Sequence, residues 1–131
     1  MGSAPTTANG AGPAANTAAA GSSPARAVCP FFHEAVELVG KRWNGAIVHA
    51  LLSGPLRFSA LAHSVPQISD RLLSMRLREL EQAGIVARQV HDGSPVRVEY
   101  ALTDKGRALE PTVRALRAWA REWLKSEHAP R

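Results

Sequence analysis

Ile68-Ser69-Asp70-Arg71-Leu72-Leu73-Ser74-Met75-Arg76-Leu77-Arg78-Glu79-Leu80-Glu81-Gln82-Ala83-Gly84 is the stretch from which the rest of the chain is read. Ser69 is the strongest helix N-cap in the sequence, since its hydroxyl can accept from a free N–H of the first turn. Asp70 follows where a negative charge suits the helix dipole. Leu73, Leu77 and Leu80 mark a buried stripe with Leu72 beside it, and Gly84 stands where a helix can end on a left-handed residue. The opposite face carries Arg71, Ser74, Met75 and Arg78 at i, i+3, i+4 and i+7, a single stripe.

Upstream, Leu56-Arg57-Phe58 is short and extended. Ser59 is placed to cap a brief helix with Leu61 and Val65 on its apolar side, Pro66 ends it, and Gln67-Ile68 forms a turn. Earlier still, Pro30 suits the first position of a helix in which Phe32, Ala35, Val36 and Val39 recur at helical spacing until Gly40. A second helix is predicted over about 43–52, with Trp43, Ile47, Ala50 and Leu51 inward. Downstream, 85–91 and 96–102 have the character of strands joined by the turn Asp92-Gly93-Ser94-Pro95. In the second strand Val96, Val98, Tyr100 and Leu102 are predicted on one face, with Arg97, Glu99 and Ala101 on the other. Thr103-Asp104 caps a final helical region that Pro111 should kink or split. A short helix, a tight turn, a longer capped helix and a hairpin make a winged helix-turn-helix, mainly α with a small β-hairpin wing.

Composition agrees with one small domain. The chain has 131 residues, and residues 1–27 contain no Leu, Ile, Val, Phe, Trp or Tyr. Such an Ala/Gly/Pro-rich tail cannot bury enough apolar surface to order itself. The folded domain for DNA binding and dimerisation is therefore expected over 28–126, with a frayed tail at 127–131. No apolar run approaches the length of a membrane-spanning helix, and the N-terminus lacks the charged and apolar regions of a leader. One Cys excludes an intramolecular disulfide and a Cys-rich zinc site. The expectation is a cytoplasmic protein with no membrane partner, metal or cofactor.

The net charge is +5, and most of it falls within 41–97. There Lys41, Arg42, Arg57, Arg71, Arg76, Arg78, Arg88 and Arg97 stand against Asp70, Glu79, Glu81 and Asp92. Arg outnumbers Lys thirteen to three, and Arg is the better group for bidentate contact with phosphate or guanine. On a recognition helix lying in the major groove of double-stranded DNA, Arg71 and Arg78 can read guanine. Ser74 can bond several base edges, Met75 can pack on a thymine methyl, and Ser69 with the first-turn N–H groups can hold a phosphate. Arg97 flanks the wing turn and suits the minor groove or a phosphate. Lys41, Arg42 and Arg57 can grip phosphates or stand as plain surface charges. His91 has the setting of a solvated turn residue.

Several motifs in order resemble the HxlR-type winged helix-turn-helix transcriptional regulators, relatives of the MarR family, over about residues 29–124. They are Cys29-Pro30, Gly40-Lys41-Arg42-Trp43, Gly54-Pro55-Leu56-Arg57-Phe58-Ser59-Ala60-Leu61 and the stretch 68–81. Gly84-Ile85-Val86 and Arg97-Val98-Glu99-Tyr100-Ala101-Leu102-Thr103 with Gly106 complete the set. The resemblance implies a homodimeric regulator, repressor or activator, on a palindromic operator. It places recognition on 69–83 and the wing on 91–97. The long tail is a departure from the family pattern.

Dimerisation has support of its own. Phe31 and Phe32, with Val113, Leu116, Trp119, Ala120 and Trp123, offer more apolar surface than one small domain hides. Trp119 and Trp123 can equally cover the core. Cys29 precedes the Pro that starts a helix, where the positive end of the dipole favours thiolate. The resemblance points the same way, since some relatives sense quinones, aldehydes or oxidants through a Cys at this place. A thiol switched by an electrophile, a small-ligand effector, and an inert buried Cys all remain open.

An enzyme is the main rival class. The sequence has no Gly-rich phosphate loop, and His33, His49, His63, His91 and His128 show no metal-ligand spacing. Cys29 and His33 at i, i+4 lack a third group to orient them. The other alternative is a winged-helix module that binds protein without specific DNA binding, against which Arg71 and Arg78 argue.

Overall fold

The computed structural model describes residues 26–128. The tail predicted at 1–27 therefore lies almost wholly outside the described residues, as do 129–131. The chain divides into two units, Met1–Glu34 and Ala35–Arg131. In the first, the described residues hold Cys29 and the opening of helix α1, Pro30–Gly40. The His33 N–H donates to the Cys29 carbonyl at 2.9 Å, which makes Cys29 the capping residue and Pro30 the first helical one.

The second unit contains the core. After α1 come α2 (Asn44–Leu51), the two-residue strand β1 (Leu56–Arg57), α3 (Phe58–Ser64) and α4 (Asp70–Gln82). Strands β2 (Val86–His91) and β3 (Arg97–Leu102) form the hairpin, followed by α5 (Asp104–Arg107) and α6 (Glu110–Glu127). Ile47, Val48 and Leu51 of α2, Leu61 of α3 and Leu73, Leu77 and Leu80 of α4 are all at most 2% exposed. With Val65, Ile85, Val86, Leu102 and Val113 they form one cluster.

Both ends of α4 are fixed locally. The Ser69 hydroxyl accepts from the Leu72 N–H at 3.1 Å. At the other end Gly84 takes φ 77°, the Ile85 N–H reaches the Leu80 carbonyl at 2.9 Å, and the Gly84 N–H reaches that of Glu81 at 3.0 Å. This pair of bonds is the Schellman closure, which needs a left-handed residue at Gly84. By contrast, α3 begins one residue before the predicted cap. Arg57 is its capping residue with no side-chain bond, so Ser59 does not cap it.

The hairpin is part of a three-stranded sheet in the order β1-β3-β2. Leu56 pairs with Tyr100 and Arg57 with Glu99, so β3 is the central strand. The predicted alternation along β3 fails at Ala101, which is 6% exposed despite its outward register. The predicted final helix is split, α5 being capped by the Thr103 hydroxyl and α6 carrying Pro111 in its first turn, where a missing N–H costs nothing. Its helix runs to Glu127, beyond the predicted end at 126.

Candidate DNA-binding interface

With Leu73, Leu77 and Leu80 turned inward, Arg71, Ser74, Met75 and Arg78 are all exposed on α4. Ser69 is exposed at its start. The capped, Leu-anchored helix thus presents guanidinium, hydroxyl and thioether groups along one side. Among the described residues the side chains of Arg71, Ser74, Met75 and Arg78 make no hydrogen bond or ion pair, whereas the Ser69 hydroxyl caps the helix.

The sheet contributes a second basic surface. Arg57 lies opposite Glu99, and His91 opposite Arg97, on the same outward register. Arg57 and Arg97 are exposed. His91 is not the solvated turn residue predicted for it: its Nε2 lies 2.9 Å from Glu99 Oε1, two residues along β3. Across a hairpin this is a diagonal contact, which ties the base of the wing.

Lys41 and Arg42, expected either to grip phosphates or to stand as plain surface charges, have different surroundings. Lys41 Nζ bonds both Glu79 oxygens, at 3.1 and 3.2 Å. Arg76 also donates to Glu79, at 3.2 Å, and its Nε donates to the Arg42 carbonyl at 3.0 Å. The Arg42 guanidinium stacks 4.9 Å over the Trp43 ring. Glu79 and Arg76 thus form a collar joining the α1–α2 turn to α4. Lys41 spends its charge inside this collar, whereas Arg42 keeps its guanidinium at the surface.

The Lys41 ammonium beside Glu79 holds its carboxyl below the ordinary value of 4.5, against a smaller opposing push from burial and with help from Arg76. A depressed carboxylate stabilises the fold above its unfolded value and loses that contribution as pH falls through the folded one. Glu79→Gln should therefore lower stability at neutral pH, by at most about 1 kcal/mol given solvent screening at a partly exposed pair. The gap between variant and parent should close below pH 4.5. Denaturant melts of both proteins across that range provide the check.

The apolar residues predicted for dimerisation divide into two groups. Phe31, Phe32, Leu116, Trp119 and Trp123 are between 53% and 81% exposed. Ala120 is half-buried. Val113 is the correction: at 7% exposed it belongs to the core cluster, because it sits in the first turns of α6 where that helix packs on α2. Cys29 is a free, exposed thiol. No helix of the described residues is long and apolar enough to cross a membrane. The described residues hold no group of three His, Cys, Asp or Glu placed to bind a metal.

Comparison with known proteins gives the same architecture. The profile of the HxlR-like helix-turn-helix family matches residues 38–128. The chain is 48% identical over 97 residues to the uncharacterized HTH-type transcriptional regulator YvaP of Bacillus subtilis (strain 168), spanning 74% of this chain and 90% of that protein. The crystal structure of diamide-treated YodB from B. subtilis superposes with a TM-score of 0.65 at 46% identity, covering 75% of this chain and 97% of that one. Quinone-bound YodB gives 0.64 at 45% identity, covering 73% and 100%. The chain belongs to the HxlR-like helix-turn-helix family of DNA-binding transcriptional regulators.

Proposed function

We propose that a homodimer of this chain binds a palindromic operator, with α4 of each subunit in the major groove and the β2–β3 wing on the flanking backbone. One observation carries the reading: the exposed stripe Arg71, Ser74, Met75 and Arg78 lies opposite the buried Leu73, Leu77 and Leu80. In this reading Arg71 and Arg78 contact bases, Ser74 and Met75 fill the groove between them, and Ser69 holds a phosphate. Arg97 and Arg57 serve the wing side, Arg42 a neighbouring phosphate, and Lys41 acts through Glu79 instead of touching DNA. The work is recognition, with no catalysis assigned to the chain.

Exposed Leu116, Trp119 and Trp123 along α6 support a two-fold interface, with Phe31 and Phe32 as candidates from α1. A dimer of this kind spaces its recognition helices one DNA turn apart, about 34–36 Å.

Cys29 is the proposed switch. Its support is exposure at a helix N-terminus, and the likeness to a regulator solved in diamide-treated and quinone-bound forms. Addition of the thiolate to a quinone forms one C–S bond while the ring oxygens take up protons, leaving a hydroquinone thioether. Alternatively, diamide takes two electrons and two protons from a pair of thiols, giving a disulfide and a hydrazine. With one Cys per chain, that disulfide joins two subunits.

Cys29→Ser should bind the chain's own upstream DNA as tightly as the parent. It should also keep that binding after quinone or diamide treatment, when the parent loses it. Loss in both proteins would remove Cys29 from the mechanism.

A further inference from the structure

Seven of the eight basic residues within 41–97 belong to the α4 stripe, the collar or the outer face of the sheet, and Arg88 belongs to none of these. It stands on β2, directly across from Tyr100 of β3, which pairs on its other side with Leu56 of β1. Alternation puts Arg88 on the same face as Val86. Val86 is buried in one cluster with Leu73, Leu77 and Leu80 of α4, and α4 packs on β2. Arg88 therefore lies on the face of the sheet turned toward α4. Arg57, Arg97 and Glu99 lie on the opposite face.

An arginine at this place needs an explanation. Leu56 and Tyr100 of the same row are half-buried, so an apolar residue at 88 would extend the core by one strand. The Arg88 stem can cover the near side of that row while its guanidinium reaches solvent, and the residue is exposed. No carboxylate claims the charge. Among the described residues the ion pairs of α4 and the hairpin are those of Glu79, with Lys41 and Arg76, and of Glu99, with His91. Glu99 is on the other face, and Asp92 lies four residues further, about 13 Å along an extended chain.

We propose that Arg88 grips a backbone phosphate bordering the major groove that α4 enters, as a positioning contact at the base of the wing. The guanidinium donates N–H bonds to the phosphate oxygens in the two-pronged geometry that suits Arg. Such a contact fixes the register of α4 on the duplex and carries no sequence information of its own. The contact rests on the proposed placement of α4, but it adds to binding on any duplex, so the two fail separately.

The test is fluorescence anisotropy of the reduced full-length protein on its own upstream DNA and, separately, on random duplex, over a series of salt concentrations. Arg88→Met keeps the stem and removes the charge, Arg88→Lys keeps the charge, and Arg121→Met removes an exposed charge from α6. The expected result is about ten-fold weaker binding of Arg88→Met to both duplexes, as for one charge-assisted hydrogen bond. The slope of log affinity against log salt should fall by about 0.9 per bound subunit. Arg88→Lys should recover most of that slope, and Arg121→Met should keep the slope of the parent. Both positions are exposed, so all three variants should melt like the parent. An unchanged slope in Arg88→Met, or an equal fall in Arg121→Met, would overturn the proposal and leave the charge as a guard on the edge strand β2. Weakening confined to the upstream DNA would mean a base contact and would overturn it as well. Upstream DNA bound no more tightly than random duplex would contradict the placement of α4, and the Arg88 slope would still be read on the random duplex.

Discussion

Alanine at both Arg71 and Arg78 is expected to weaken specific operator binding by about 2–6 kcal/mol, each bidentate base contact contributing about 1–3. The two guanidiniums lie seven residues apart on the exposed side of α4, two helical turns along one stripe. At that separation their effects should nearly add. Binding to random duplex should fall much less, so the ratio of specific to non-specific affinity is the informative quantity. If either Arg sits on a phosphate instead, affinity falls uniformly across sequences and the salt slope drops by about one for that residue. Lys41→Ala is the comparison variant. With its ammonium held by Glu79, its loss should disturb α4 slightly and leave base discrimination intact. A competition titration of parent, double variant and Lys41→Ala separates these outcomes.

The largest expected change in stability comes from the single methyl group of Gly106→Ala. A Cβ at Gly106 would lie 2.2 Å from the Ile85 carbonyl oxygen, with the Ile85 carbonyl carbon and Leu102 Cδ2 each at 3.1 Å. None of these can easily give way. The Ile85 carbonyl accepts from the Thr103 N–H at 3.0 Å, and Leu102 pairs with Val86 in the sheet. The Thr103 hydroxyl meanwhile caps α5 at the Gly106 N–H, at 3.1 Å. Alanine in a helix ordinarily gains up to about 1 kcal/mol over glycine, so only the contact can reverse the sign. Overpacking against backbone should destabilise by about 3 kcal/mol or more. In a domain of this size that lowers Tm by roughly 10–25 °C. Gly40→Ala, where the added methyl meets nothing within 4 Å, should be close to neutral. A Gly106→Ala protein that melts with the parent would contradict the docking of α5 on the start of β2.

What the sequence reveals follows how local each feature is. Both ends of α4 are legible because the Ser69 cap and the Gly84 closure involve residues within one turn. The exposed stripe follows from the Leu stripe by geometry alone. Strand β1 is harder to see: two residues form a strand only because Tyr100 and Glu99 pair with them from more than forty positions away. That distant pairing also makes β3 the central strand of the sheet.

The collar around Glu79 carried a signal that charge counting passes over. Arg76 stands three residues after Leu73 and four before Leu80, beside the buried stripe, so its side chain ends only 13% exposed and reaches back to the Arg42 carbonyl. Asn44 likewise precedes Ile47 by three and Leu51 by seven, on the inner row of α2, where a polar side chain needs an explanation. Trp43 at φ 80° has no local cue, because a bulky residue rarely adopts that conformation unless its surroundings impose it. Val113, assigned to the interface and found in the core, is misplaced for a different reason. A helix with apolar residues over several turns does not by itself reveal which turn meets its own core and which is left for a partner.

The central claim is sequence-specific DNA binding through α4. Its most direct test is fluorescence anisotropy of the purified reduced protein on its own upstream DNA, with random duplex as competitor, repeated as salt is raised. The account predicts a complex that survives excess competitor and weakens steeply with salt, and whose advantage over random DNA is lost in the Arg71→Ala, Arg78→Ala double variant. Binding no tighter than to random duplex, when sites selected from random DNA also give no preference, would contradict it. So would a specific complex that the double variant forms equally well.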